Sequence, residues 1–198
     1  MVKVIQEKSD SELWNEFLSG EKLAFKTIYD NHIQLLFKFG RHFTKNEELI
    51  LDCIHDVFID LYNYRTNINS TNNIKLYLIV SFRRKLFRNL KDKGRFVSLD
   101  DDSSCFSYTL YSSTEIDDDE KSSKISWLEK SMNKLSSRQQ EAIYLRFVKG
   151  LSYEELSDVL QVNYQSARNL IFRGIEKLRE NGNEELIYLL LFVRKIDS

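Results

Sequence analysis

The chain has 198 residues, of which 42% are hydrophobic, and a net charge of −1, with no proline and six glycines. That length suits one large domain or two small ones, at roughly 100–200 residues per domain. The apolar share excludes a wholly disordered chain, and the scarcity of proline and glycine excludes a turn-rich β fold, so long helices are expected.

In chain order, Ser11 is expected to cap a short helix carrying Leu13, Trp14, Phe17 and Leu18, with Gly20 ending it. A longer helix follows, with Ala24, Phe25, Ile28, Tyr29, Leu35, Leu36, Phe39 and Phe43 at helical intervals. Asn46 is placed to cap a third helix, whose apolar side takes Leu49, Ile50, Cys53, Val57, Leu61 and Tyr64. Residues 69–73 read as a polar loop, and a fourth helix is expected over 74–93.

Charge is distributed unevenly. Between residues 75 and 95 stand Lys75, Arg83, Arg84, Lys85, Arg88, Lys91, Lys93 and Arg95 against the single acid Asp92. Between residues 98 and 120 there are acids and no base. The near-zero total argues against a nucleic-acid binder, but the opposed blocks reverse that argument. Residues 96–123 are rich in Ser and Asp, lack a sustained period, and read as a flexible acidic linker.

The C-terminal part opens with two capping boxes. Ser136 with Gln139 starts one helix, which Gly150 can end, and Ser152 with Glu155 starts a second carrying Leu156, Val159 and Leu160. Asn163 can cap a third helix from 164 to about 180, with Ala167, Leu170, Ile171, Ile175 and Leu178 on one face. Two helices joined by about three or four residues, the second longer and basic, match a DNA-reading helix-turn-helix. Periodicity alone serves equally for a hairpin with a solvated basic face; the two boxes, with amide and guanidinium side chains at the reading end, favour DNA. The candidate reading residues are Tyr164, Gln165, Ser166, Arg168, Asn169, Arg173 and Lys177. Arg reads guanine bidentately and Gln or Asn reads adenine, while cations further along meet phosphates.

These residues resemble a known family. The stretch LSSRQQEAIYLRFVKGLSYEELS (135–157) followed by VNYQSARNLIFRGIEKLR (162–179) is similar to the −35-binding domain of extracytoplasmic-function (ECF) sigma factors of bacterial RNA polymerase. DCIHDVF (52–58) resembles the family's acidic core helix, and Tyr77-Leu78 with the Arg83, Arg84, Lys85 and Arg88 cluster resembles its −10-binding helix. The resemblance covers roughly 10–180. His55 stands where the family usually has Gln, Ile50 and Leu51 replace a common small-acidic pair, and Arg84 stands where many members have Asn.

The resemblance implies an all-α protein of two small helical domains joined by a flexible acidic linker, the C-terminal one a helix-turn-helix. Residues 8–95 would form the −10- and polymerase-clamp-binding domain, 96–123 the linker, 124–182 the −35-binding domain and 183–198 an apolar extension. Asp52, His55, Asp56 and Phe58 would dock on core polymerase. Lys75, Tyr77, Arg83, Arg84, Lys85 and Arg88 would hold −10 DNA, with Tyr77, Phe82 and Phe87 as stacking candidates for melted bases. The implied partners are core RNA polymerase, promoter DNA and an anti-sigma factor, which in this family is often membrane-linked.

No enzyme is expected: the sequence lacks a phosphate-cradling glycine loop, a nucleophile elbow and metal spacing among His32, His42 and His55, and neither a cofactor nor a metal is implied. Residues 1–10 do not read as a secretory leader, and the longest apolar run, 186–193, is shorter than the roughly 20 residues a bilayer span needs. With Cys53 in a helical pattern and Cys105 in the linker, a disulfide is not expected, so the cytoplasm is the expected compartment. The greasy tail is expected to pack on the C-terminal domain, between domains, or on a partner. The alternative readings are a stand-alone helix-turn-helix regulator and a protein-binding adaptor.

Overall fold

The structure, a computed structural model, describes residues 8–92, 106–108, 126 and 128–180. Those residues form helices and the turns between them with no strand, and no helix among them is long and apolar enough to cross a membrane. They fall into two compact units, one built on residues up to 41 and from 46 to 92, the other on residues 42–45 and those from 93 onward.

The first unit comprises α1 (Asp10–Leu18), α2 (Lys22–Arg41), α3 (Glu47–Asn63), a single 3-10 turn (Arg65–Asn67) and α4 (Ile74–Asp92). Helix α1 starts at Ser9 rather than at Ser11. Ser9 Oγ accepts the Glu12 N–H (3.3 Å) while the Glu12 carboxylate accepts the Ser9 N–H (2.9 Å). The reciprocal box needs an acid or amide three residues on; Ser9 has Glu12, whereas Ser11 has Trp14. Gly20, at φ 97°, takes the left-handed conformation that ends the helix. Asn46 caps α3 through its Oδ1, which accepts the Leu49 N–H at 3.0 Å.

Helix α1 also holds the entry to α4. The Asp10 carboxylate accepts the Ile74 N–H at 2.9 Å, placing an acid at the positive end of α4. Trp14 is wholly buried and donates its indole N–H to the Asn69 carbonyl at 3.1 Å. The polar 69–73 loop is thus tied down by the buried aromatic of another helix. Helices α2, α3 and α4 pack pairwise. At Gly40 they approach closely: an added Cβ would lie 2.8 Å from Ile50 Cγ2 and 2.9 Å from Phe82 Cζ. Ile50, Ile54, Leu61, Leu78, Phe82 and Leu86 fill the interior, whereas Tyr64, expected on the apolar side of α3, is 60% exposed at its C-terminal end.

The second unit begins with residues 128–132, which are helical and bury Leu128 and Met132. Helix α5 (Ser137–Ile143) follows and runs into a wider, π-helical turn (Tyr144–Val148), so its α-helical part is shorter than expected. Then come α6 (Tyr153–Leu160) and α7 (Tyr164–Glu180). Both expected capping boxes form, Ser136 with Gln139 and Ser152 with Glu155. Gly150 (φ 75°) and Gln161 (φ 55°) supply the left-handed turns between helices. Gln161 lacks glycine's freedom, so its backbone is held there at a cost.

Within the stretch read as a flexible linker, residues 106–108 are anchored. Phe106 and Tyr108 are buried. The Ser107 N–H donates to the His42 carbonyl at 2.8 Å and the Tyr108 N–H donates to Gln140 Oε1 at 2.9 Å. The His42 ring stacks on Phe106 at 4.9 Å and lies 4.5 Å from the Tyr144 ring. Residues 96–105 and 109–123 of the expected linker, and the apolar tail 183–198, lie outside the described residues.

Gly40→Ala should destabilise the first unit. Filling a packed site costs about 1–3 kcal/mol, against a helix-propensity gain of up to ~1 kcal/mol. With two fully buried side chains already in the way, a net loss of about 1–2 kcal/mol is expected as a lower urea midpoint by circular dichroism; an unchanged or raised midpoint refutes it.

Candidate nucleic-acid interface

Helix α7 buries Ala167, Ile171, Gly174 and Leu178. Leu170 and Ile175, expected on the same apolar face, are only half-buried at its borders. At Gly174 an added Cβ would lie 2.8 Å from Ile143 Cδ1 of α5, so the two helices touch almost backbone to side chain. The opposite face is open to solvent, and it exposes Tyr164, Gln165, Arg168, Asn169, Arg173 and Lys177, with Ser166 half-buried. Gln165 Nε2 donates to Asn169 Oδ1 at 3.2 Å, which aligns two side-chain amides one turn apart. Asn163 caps the helix, its Oδ1 accepting the Ser166 N–H at 2.7 Å.

A ladder of side chains fixes the start of α7. The Arg146 guanidinium donates to the Leu151 carbonyl at 2.5 Å and lies 4.7 Å from the centre of the Tyr153 ring. Tyr153 meets Tyr164 edge-on at 6.0 Å, and the Arg168 guanidinium lies 5.9 Å from the Tyr164 ring. Cation–π and aromatic contacts of this kind orient the groups they join. Tyr164 is thus part of the scaffold at the N-terminal end of α7 as well as part of its surface. Neither Arg146 nor Tyr153 stood out in the sequence, because the ladder joins three helices and has no local period. Phe172 was also passed over: it follows Arg168 by four residues and is 63% exposed on the solvent side of α7.

On α4 the cations divide by burial. Arg84 and Arg88, one turn apart, are exposed, and Lys75 and Lys85 are half-buried. Arg83 is buried, its guanidinium 4.2 Å from the centre of the Phe87 ring. Phe82 is wholly buried in the core, which removes it from solvent as a stacking platform. Tyr77 packs edge-on against Trp14 at 5.0 Å, and burial pushes its phenol pKa up although the Ser81 hydroxyl works against that. Tyr77, Ser81, Arg84 and Arg88 line a pocket of about 240 Å³ whose other wall includes Asp60 and Tyr64. The pocket offers planar rings, cations and a carboxylate within one opening.

On α3, Asp52 and His55 are exposed, Asp56 is half-buried and Phe58 is buried. Phe58 faces Tyr29 at 4.8 Å and floors an apolar groove of about 440 Å³, rimmed by Phe25, His55, Ile59 and Tyr62. Ile59 is 56% exposed there. Two expected sites meet at Lys85, whose Nζ lies 3.1 Å from Asp56 Oδ2 and 3.3 Å from Asp60 Oδ2. Partial burial works to lower the Lys85 pKa, but the hydrogen bonds to Asp56 and Asp60 outweigh it and hold the ammonium above the ordinary lysine value. No group of His, Cys, Asp and Glu that could hold a metal ion occurs among the described residues.

Residues 125–178 match the family described as Sigma-70, region 4. The match falls on the second unit, where it spans α5, α6 and α7. Two solved structures share the fold. One is CnrH, solved in complex with the cytosolic domain of CnrY: 19% identity, 88% of this chain and 97% of that chain covered, TM-score 0.59. The other is the sigma factor RpoE from Bartonella quintana, solved in complex with the anti-sigma factor NepR: 20% identity, 79% and 94% covered, TM-score 0.54. No curated protein matches the chain by sequence.

The exposure pattern on α4 predicts distinct effects of its arginines. Arg84→Ala and Arg88→Ala should each flatten the salt dependence of single-stranded DNA binding by about 0.7 in log–log slope, one phosphate apiece. Arg83→Ala should instead lower the urea midpoint, because it strips a buried side chain from Phe87. Slopes that do not change for either exposed arginine would refute the assignment.

Proposed function

We infer that the chain is an RNA polymerase sigma factor of the ECF type, a promoter-recognition subunit rather than an enzyme. The observation that carries this reading is the sigma-70 region 4 match falling on the unit whose α7 exposes Gln165, Arg168, Asn169, Phe172 and Arg173 together. In this reading α7 enters the major groove at the −35 element. Its N-terminal amides read adenine, Arg168 and Arg173 read guanine or hold phosphate, and Phe172 offers an apolar surface to a thymine methyl.

The first unit supplies the second promoter grip. Arg84, Arg88 and Lys75 neutralise phosphates of the −10 strand, which makes binding salt-dependent. The pocket beside them accepts an unstacked base, to which Tyr64 and Tyr77 offer ring faces. Base stacking on aromatic rings contributes about 1–3 kcal/mol per base, enough to help hold a strand once it is melted.

Core polymerase docks on α3. Asp52, His55 and Asp56 present polar and acidic contacts, and the groove over Phe58 gives apolar area beside them. Such an interface draws its on-rate and register from charge and its affinity from the apolar centre. An anti-sigma factor, free or anchored to a membrane, would act by covering the same faces. The chain acts in the cytoplasm, where core polymerase works.

Purified chain added to core RNA polymerase should start transcripts at discrete sites on genomic DNA, and Arg173→Ala should reduce initiation at those sites by about tenfold or more, the worth of one lost bidentate base contact. Initiation that is absent with active core enzyme, while the chain alone binds duplex DNA site-specifically, would overturn the reading in favour of a stand-alone regulator.

A further inference from the structure

Three carboxylates stand along α3 at intervals of four residues: Asp52, Asp56 and Asp60. Like charges at this spacing repel on a helix. The fold offsets the last two with one cation from the neighbouring helix, since Lys85 Nζ bridges Asp56 and Asp60. The same Lys85 lines the pocket that holds Arg84 and Arg88. One ammonium therefore sits where an acidic face and a cationic pocket meet.

We propose that Asp56 and Asp60 hold Lys85 back from nucleic acid in the unbound chain, and that a basic protein surface docking on α3 takes over the carboxylates and releases Lys85 to a phosphate at the pocket. The proposal rests on the sigma reading, because it takes the basic surface to be that of core polymerase.

Three features support an exchange rather than a fixed brace. The side chains of Asp56 and Asp60 are 49% and 55% exposed, so an incoming cation reaches them without displacing the core. Ion pairs this open to water are weak and easily exchanged. Lysine is a compact charge on a flexible four-carbon stem, so its ammonium can swing from one anion to another, which a planar guanidinium locked in a fork does less readily. Coupling of this kind is reciprocal: whatever polymerase gains by freeing Lys85 for DNA, DNA gains in favouring polymerase.

The test is a double-mutant cycle on the full chain. Its readout is fluorescence anisotropy of a short, labelled, mixed-sequence single-stranded DNA across a KCl series. Asp56→Asn with Asp60→Asn should tighten binding by about 2–5-fold, the range set by a weak exposed ion pair, and steepen the salt slope by about 0.7, one added phosphate. In a Lys85→Met background the same two substitutions should give little of that gain. An equal gain in both backgrounds would mean that the acids act only through general repulsion, and would overturn the proposal, as would no gain with Lys85 present. Should Lys85→Met fail to fold by circular dichroism, Lys85→Gln replaces it.

Binding of the chain to core polymerase, measured separately, distinguishes the two readings. Lys85→Met should bind core about 2–5-fold more tightly, because its carboxylates are no longer shared. Unchanged or weaker core binding overturns the release step. A wild-type chain that does not bind core at all sinks the sigma reading and the release step together, while the DNA cycle still reports whether Lys85 is held back.

Discussion

At Gly40 the backbone of α2 lies against Ile50 of α3 and Phe82 of α4, closer than any side chain would allow. That approach determines how the other two helices are turned. With Ile50, Ile54 and Leu61 directed inward, the 3.6-residue period sends Asp52, His55 and Asp60 outward. With Leu78, Phe82 and Leu86 inward, Arg84 and Arg88 face water and Arg83 falls at the border, where its stem is buried and its guanidinium stacks on Phe87. The acidic and basic faces are thus consequences of one apolar contact. Neither charged face has to pay for its own orientation, which leaves both available for partners.

The second unit solves the same problem with backbone caps. Reciprocal boxes at Ser136 and Ser152 set where α5 and α6 begin, and Asn163 sets where α7 begins. Gly174 lets α7 approach Ile143 closely, so its outward face is fixed in rotation. The ladder from Arg146 to Arg168 then fixes the N-terminal end of α7, the end that meets base edges in the proposed function. A reading helix depends on its first turns being held within narrow limits, because hydrogen bonds to bases weaken steeply with misalignment.

Much of this was legible in the residues, because local chemistry dictates it. The C-terminal capping boxes, the Asn46 cap and the inward positions of α3 follow from spacing alone. The start of α1 could also have been read correctly, since Glu12 completes a box with Ser9 and Ser11 has no such partner. What the sequence hides is non-local. Arg83 and Arg84 are adjacent and chemically identical, and only the packing of α4 separates a buried cation from an exposed one. Phe82 and Tyr77 both looked like stacking platforms, yet one is core and the other lines a pocket. Phe106 and Tyr108 alternate with a serine inside a polar stretch. Two aromatics two residues apart are a short apolar face, but it carries meaning only once His42, Gln140 and Tyr144 are known to wait for it.

The meeting of Asp56, Asp60 and Lys85 belongs to the same non-local class, and it changes how the charge pattern is understood. A net charge of −1 tells against nucleic acid only if every charge acts on a partner at once. Screening confines each exposed charge to neighbours within about 8–10 Å, so what a phosphate meets is the arrangement near α4, and what a protein partner meets is the arrangement along α3. Lys85 is counted in both. While it is paired with Asp56 and Asp60 it contributes little to either face, and any partner that takes the carboxylates hands a cation to the other side. Under the proposed function the chain binds DNA firmly only in a complex, which needs its attraction to be conditional. A cross-helix ion pair, weak enough to exchange and shared between two surfaces, makes it so without any movement of the helices.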